Sequence, residues 1–72
     1  MTGSELVRKL RRLARTSGSD LSVRRERGKG SHVTVYFRER RAVIPDLSRE
    51  LKTGTLRAIL RQLGVSRDDL RG

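Results

Sequence analysis

His32-Val33-Thr34-Val35-Tyr36-Phe37 alternates polar and apolar side chains, and the reading of this stretch decides the fold. Successive side chains on a strand point to opposite faces, so Val33, Val35 and Phe37 share one face while His32, Thr34, Tyr36 and Arg38 share the other. The first set predicts a face that packs against something. The second predicts an open, polar face carrying a histidine and a tyrosine.

Working outward from that strand, Gly28-Lys29-Gly30 reads as a turn. Before it, Leu21, Val23 and Arg25 alternate with Ser22, Arg24 and Glu26 as a half-buried strand. On the other side, Arg38-Glu39-Arg40-Arg41 reads as a charged hairpin tip, followed by Ala42-Val43-Ile44 as a short third strand that Pro45 terminates. Three strands joined by short turns make an antiparallel meander.

The flanks read as helices. Thr2 and Glu5 have capping-box spacing, and Leu6, Val7, Leu10, Leu13 and Ala14 then recur with helical period until Thr16-Ser17-Gly18-Ser19-Asp20 stops them. Arg8, Lys9, Arg11, Arg12 and Arg15 fill the other face of that helix, either as a phosphate-facing stripe or as a solvated side. After a loop from Asp46 to Lys52, Thr53 or Thr55 can cap a second helix with Leu56, Ile59, Leu60 and Leu63 as its apolar stripe and Gly64 as its stop. Ser66 and Asp69 repeat the capping-box spacing and predict a last short turn over 67–71. Each helix has one stripe to cover, and one face of the sheet can cover both. The expected fold is therefore α+β, in the order α-β-β-β-α, with a three-stranded antiparallel sheet and both helices on one face. This is the architecture of double-stranded-RNA-binding domains. A chain of 72 residues makes one domain, over 1–72, with an economical core.

Eighteen Lys and Arg against eight Asp and Glu give a formal net charge of +10, which calls for a polyanionic partner. No long apolar run is present and the basic residues are spread over several segments, so nucleic acid is favoured over a membrane. Most of the cations are Arg, which can grip phosphate with two parallel hydrogen bonds and stack on bases, although a GC-rich genome would enrich Arg as well. With no cysteine there is neither a disulfide framework nor a thiolate metal site. The start Met-Thr-Gly-Ser-Glu lacks the apolar region of a signal peptide, which leads to a cytoplasmic expectation.

Proton transfer near neutral pH is the natural work of imidazole, and His32 is the chain's one histidine. It directly follows Lys29-Gly30-Ser31, which puts a backbone able to approach phosphate, a cation and a hydroxyl beside it. A lone histidine on a strand is more often a structural or surface residue than a catalytic one. No metal is expected, because Asp46, Asp68 and Asp69 are isolated or terminal. The Gly28-Lys29-Gly30-Ser31 turn lacks Walker spacing and precedes a strand, which argues against a nucleotide phosphate loop. Tyr36 can stack a base, donate a hydrogen bond to phosphate, or simply pack across strands. The expected RNA contacts are Arg27, Lys29, Gly30, Ser31, Tyr36 and Arg38, with His32 the candidate catalytic residue and no cofactor expected.

Lys29-Gly30-Ser31-His32 on the central strand, followed by Thr53-Gly54-Thr55-Leu56-Arg57-Ala58-Ile59-Leu60-Arg61-Gln62-Leu63-Gly64-Val65-Ser66, resembles the HicA toxins. The likeness covers nearly the whole chain. It implies the toxin of a type II toxin–antitoxin pair, cleaving mRNA without metal through the motif histidine and masked by a HicB antitoxin. Two departures stand out. Members often carry Gly and an aromatic residue after the first helix, where this chain has Ser17-Gly18-Ser19-Asp20-Leu21. Many also have a second histidine after the motif one, where this chain has Val33.

The chemistry expected of a lone imidazole on RNA is transesterification, with His32 taking the proton of a ribose 2′-hydroxyl. Lys29 or a nearby Arg would steady the phosphorane, and Tyr36, substrate rearrangement or water would make the second proton transfer. The alternative is a non-catalytic RNA-binding module of the same architecture. A structural component of a large RNA assembly would call for long basic tails, and Met1-Thr2-Gly3 and Arg71-Gly72 are too short for that role.

Overall fold

A computed structural model describes residues 1–25 and 32–71. Its elements run α1 (Gly3–Ser17), β1 (Leu21–Arg25), β2 (Val33–Phe37), β3 (Arg40–Ile44) and α2 (Thr53–Leu63), ending in a 3-10 turn at Asp68–Leu70. The order is the expected α-β-β-β-α. The sheet has strand order β1-β2-β3 with both pairings antiparallel, so the strand that follows His32 is the central one. The Gly28-Lys29-Gly30 turn expected between β1 and β2 lies outside the described residues.

Local chemistry accounts for most element ends. The Thr2 hydroxyl accepts from the Glu5 amide at 3.1 Å, and the Glu5 carboxylate accepts from the Thr2 amide at 3.0 Å, completing the expected capping box. Both helices end on a glycine in the left-handed region, Gly18 at φ 67° and Gly64 at φ 68°, a conformation that other residues adopt only with strain. The expected second box also forms: the Ser66 amide donates to Asp69 at 2.9 Å and the Asp69 amide to the Ser66 hydroxyl at 3.2 Å. The N-cap of α2 departs from expectation. It is Lys52, with no side-chain cap, so neither Thr53 nor Thr55 performs that role and the first turn goes without a hydroxyl partner.

One core holds the elements together. Leu6, Leu10 and Ala14 of α1 and Leu56, Ile59, Leu60 and Leu63 of α2 join Val33, Val35, Phe37, Ala42 and Ile44 of the sheet in a single buried cluster, closed by Val65 and Leu70. α2 lies chiefly along β3, and α1 against β1 and the terminal turn. β1 is an edge strand, so Leu21 and Val23 are only half-buried although they belong to the core face.

Two sequence expectations change at the β2–β3 hairpin. β3 starts at Arg40, so the tip is only Arg38-Glu39 and the strand is two residues longer than Ala42-Val43-Ile44. Arg38 takes φ 57°, which breaks the alternation and removes it from the face of His32, Thr34 and Tyr36. Its guanidinium instead lies 4.7 Å from the centroid of the buried Phe37 ring, and its Nε donates to Ser19 Oγ at 3.1 Å.

Candidate functional site

The outer face of the sheet is built by register. Ser22, Tyr36 and Arg41 form one row across the three strands, and Arg24, Thr34 and Val43 form the next. His32 immediately precedes β2, in phase with Thr34 and Tyr36, and is half-buried. Its neighbour Val33 is 1% exposed, paired to Arg25 on one side and Ile44 on the other. The backbone that presents the imidazole is thus anchored by a core residue in the middle of the sheet.

Thr34 corrects the expectation of a fully open face, being only 5% exposed. It is a short side chain at the centre of the face, with His32 and Tyr36 along the strand and Arg24 and Val43 across it. Tyr36, at 38% exposure, and Val43, at 46%, remain open.

His32 and Tyr36 are four residues apart along the chain, about 13 Å at the usual strand rise, with Thr34 between them. Arg38 stands beyond the opposite end of β2 from His32, its guanidinium held against Phe37. Arg27, Lys29, Gly30 and Ser31 lie outside the described residues.

What sequence reading missed is Arg24 and Arg41. Both are exposed, and the strand pairing brings them to either side of Tyr36. Arg41 was hidden in the apparent hairpin tip; counting the β2–β3 pairing back from a two-residue tip would have placed it opposite Tyr36. Arg24 was read correctly as polar-phase, but its register awaited the pairing.

Among the described residues no group of three or more His, Asp or Glu is placed to hold a metal ion. None of the described helices is long and apolar enough to cross a membrane. Two carboxylates titrate below their ordinary values. Glu5 is lowered by its hydrogen bonds with Thr2, the backbone one foremost, and Asp69 by its bonds with Ser66, again led by the backbone. Both belong to helix ends and lie outside the polar sheet face.

The molecule is therefore a small cationic α+β protein whose single histidine immediately precedes the central strand of the sheet. Residues 3–65 match the model of the HicA toxins of bacterial toxin–antitoxin systems, and the chain belongs to that family. It is the toxin of a toxin–antitoxin pair, in a family of toxins that generally cleave mRNA. No curated protein and no solved structure matches the chain.

Proposed function

We propose that this toxin is a metal-independent endoribonuclease of mRNA in which His32 is the general base. The observation that carries the reading is the placement of the chain's one histidine: half-buried at the end of the polar sheet face, leading into a strand fixed by Val33, in a chain of the HicA family. Catalytic side chains need a rigid base, and a central strand supplies one.

In the reaction, an imidazole nitrogen of His32 takes the proton of a ribose 2′-hydroxyl. The 2′-oxygen forms a bond to the adjacent phosphorus, and the bond from phosphorus to the 5′-oxygen breaks. The products are a 2′,3′-cyclic phosphate and a 5′-hydroxyl, whose proton comes from the imidazolium or from water. General acid–base help of this kind is worth roughly 10²–10⁴-fold. Lys29, Gly30 and Ser31, adjacent in sequence to His32, would hold the phosphate with Arg27. Arg38, at the far end of β2, would act through its charge on the approaching RNA. No cofactor enters this chemistry. The toxin works in the cytoplasm as a single domain over 1–72, and a HicB-type antitoxin covers the cationic site.

The reading is tested by incubating wild-type and His32→Ala protein with single-stranded RNA in EDTA, followed by denaturing gels and end-group analysis. Cleavage by wild type alone, leaving cyclic phosphate, is the expected result. Binding without cleavage by either protein would make the chain an RNA-binding module, and cleavage that EDTA abolishes would overturn the metal-free mechanism.

A further inference from the structure

We propose that the sheet face around Tyr36 is a subsite for an unpaired nucleobase, stacked on the phenol ring, with the flanking phosphates held by Arg24 and Arg41. This rests on the reading of the toxin as an enzyme of single-stranded RNA, and adds where a nucleotide beyond the cut is held.

Four observations converge on it. Tyr36 is an exposed aromatic on the central strand of a polar face, and its direct cross-strand partners, Ser22 and Arg41, are both polar. Shallow hollows lie on both sides of the ring: one is bounded by Ser22 and Arg24, the other by Thr34, Arg41, Val43 and Gln62. No acidic side chain occupies any of the six face positions 22, 24, 34, 36, 41 and 43, while two carry guanidinium groups. Finally, the face is continuous with His32, about 13 Å along the same strand, which suits a neighbouring nucleotide and not the one being cut.

A flat π surface between two cations matches a strand of bases and phosphates. Aromatic stacking tolerates any base, since each has a π face, and the arginines would hold the backbone without reading sequence. A duplex offers no free base face in its interior, so the subsite selects unpaired RNA.

Tyr36 is the only tyrosine and the chain has no tryptophan, so tyrosine emission reports this one ring. The probe is a mixed-sequence, fully 2′-O-methylated RNA oligonucleotide, which lacks the attacking hydroxyl and cannot be cut by the proposed route. Its single-stranded form should quench the emission at saturation, and the same sequence as a blunt duplex should leave it unchanged. By fluorescence anisotropy of the labelled oligonucleotide, Tyr36→Phe should bind within about twofold of wild type, whereas Tyr36→Ala should bind roughly 5- to 100-fold more weakly. Arg24→Ala and Arg41→Ala should each lower the salt slope by about one.

Equal affinity of Tyr36→Ala and wild type, or equal quenching by the duplex, would overturn the subsite. Because the probe is uncleavable, the two readings fail separately. Ordinary RNA left uncut while quenching persists would remove the nuclease reading and keep the subsite. Cleavage with a silent Tyr36 would do the reverse.

Discussion

A β-carbon on Gly3 would stand 2.6 Å from the carbonyl oxygen of Asp46. The start of α1 is pressed against the loop that follows β3, where the Ser4 amide donates to the Leu47 carbonyl at 2.9 Å. Helix propensity alone favours Gly3→Ala by up to about 1 kcal/mol. Contact with fixed backbone opposes it by typically about 1–3 kcal/mol, so the substitution should destabilise. Urea denaturation should show a lower midpoint at unchanged slope; a raised midpoint would mean that the loop yields freely.

Arg38 sets strain against contact. A non-glycine residue at φ 57° costs roughly 1–2 kcal/mol, while its cation–π contact with Phe37 returns about 0.5–1 kcal/mol. Arg38→Ala keeps the strain and loses the contacts, and should be destabilised by about 1 kcal/mol. Arg38→Gly loses both and should lie within about 0.5 kcal/mol of wild type. If the alanine variant were the more stable of the two, this assignment of strain would be wrong.

His32→Ala should separate activity from stability. The residue is half-buried just before β2 and outside the buried core cluster, so its removal should cost no more than about 1–2 kcal/mol and leave the chain folded. Cleavage should fall by roughly 10²–10⁴-fold under the proposed mechanism. Collapse of the fold in thermal unfolding would make the histidine a structural residue.

Acid should loosen both capping boxes. Glu5 and Asp69 titrate below their ordinary values of 4.5 and 3.8 in the folded chain, so the folded state binds fewer protons than the unfolded one. Their contribution is present above those ordinary values and is lost as pH falls through the depressed ones. A Tm profile from pH 6 downward should decline in that window, and Glu5→Gln should flatten it. An unchanged profile in Glu5→Gln would remove Glu5 from the acid response.

The antitoxin has to cover a strongly cationic molecule. Its association rate should therefore drop steeply as salt rises, and acidic residues on its surface should account for the slope. Stopped-flow association that is indifferent to salt would point to an apolar interface.

The legible parts of this sequence were those in which local chemistry and periodicity agree. Thr2 with Glu5, Ser66 with Asp69, and the alternation through Val33, Val35 and Phe37 each state their structure within a few residues. The burial of Thr34, the turn at Arg38 and the meeting of Arg24 with Arg41 around Tyr36 depend on neighbours from other strands. They became visible only once the register was known. Lys52 shows a third case, in which two nearby threonines had suitable chemistry but the helix began one residue earlier, with no side chain to cap it.

The order β1-β2-β3 has a kinetic meaning. Each strand pairs with its neighbour in sequence, so the sheet can zip up from short loops without a long search. The wide closure comes at the start of α1, where the Leu51 amide donates to the Met1 carbonyl at 2.9 Å and Thr2 bridges to Glu50. That contact spans most of the chain, and the packing of the terminal 3-10 turn against α1 spans more, although the entropy of closing such loops grows only slowly with length. The strand behind His32 can thus be assembled before the ends meet, so the polar sheet face can form early in folding.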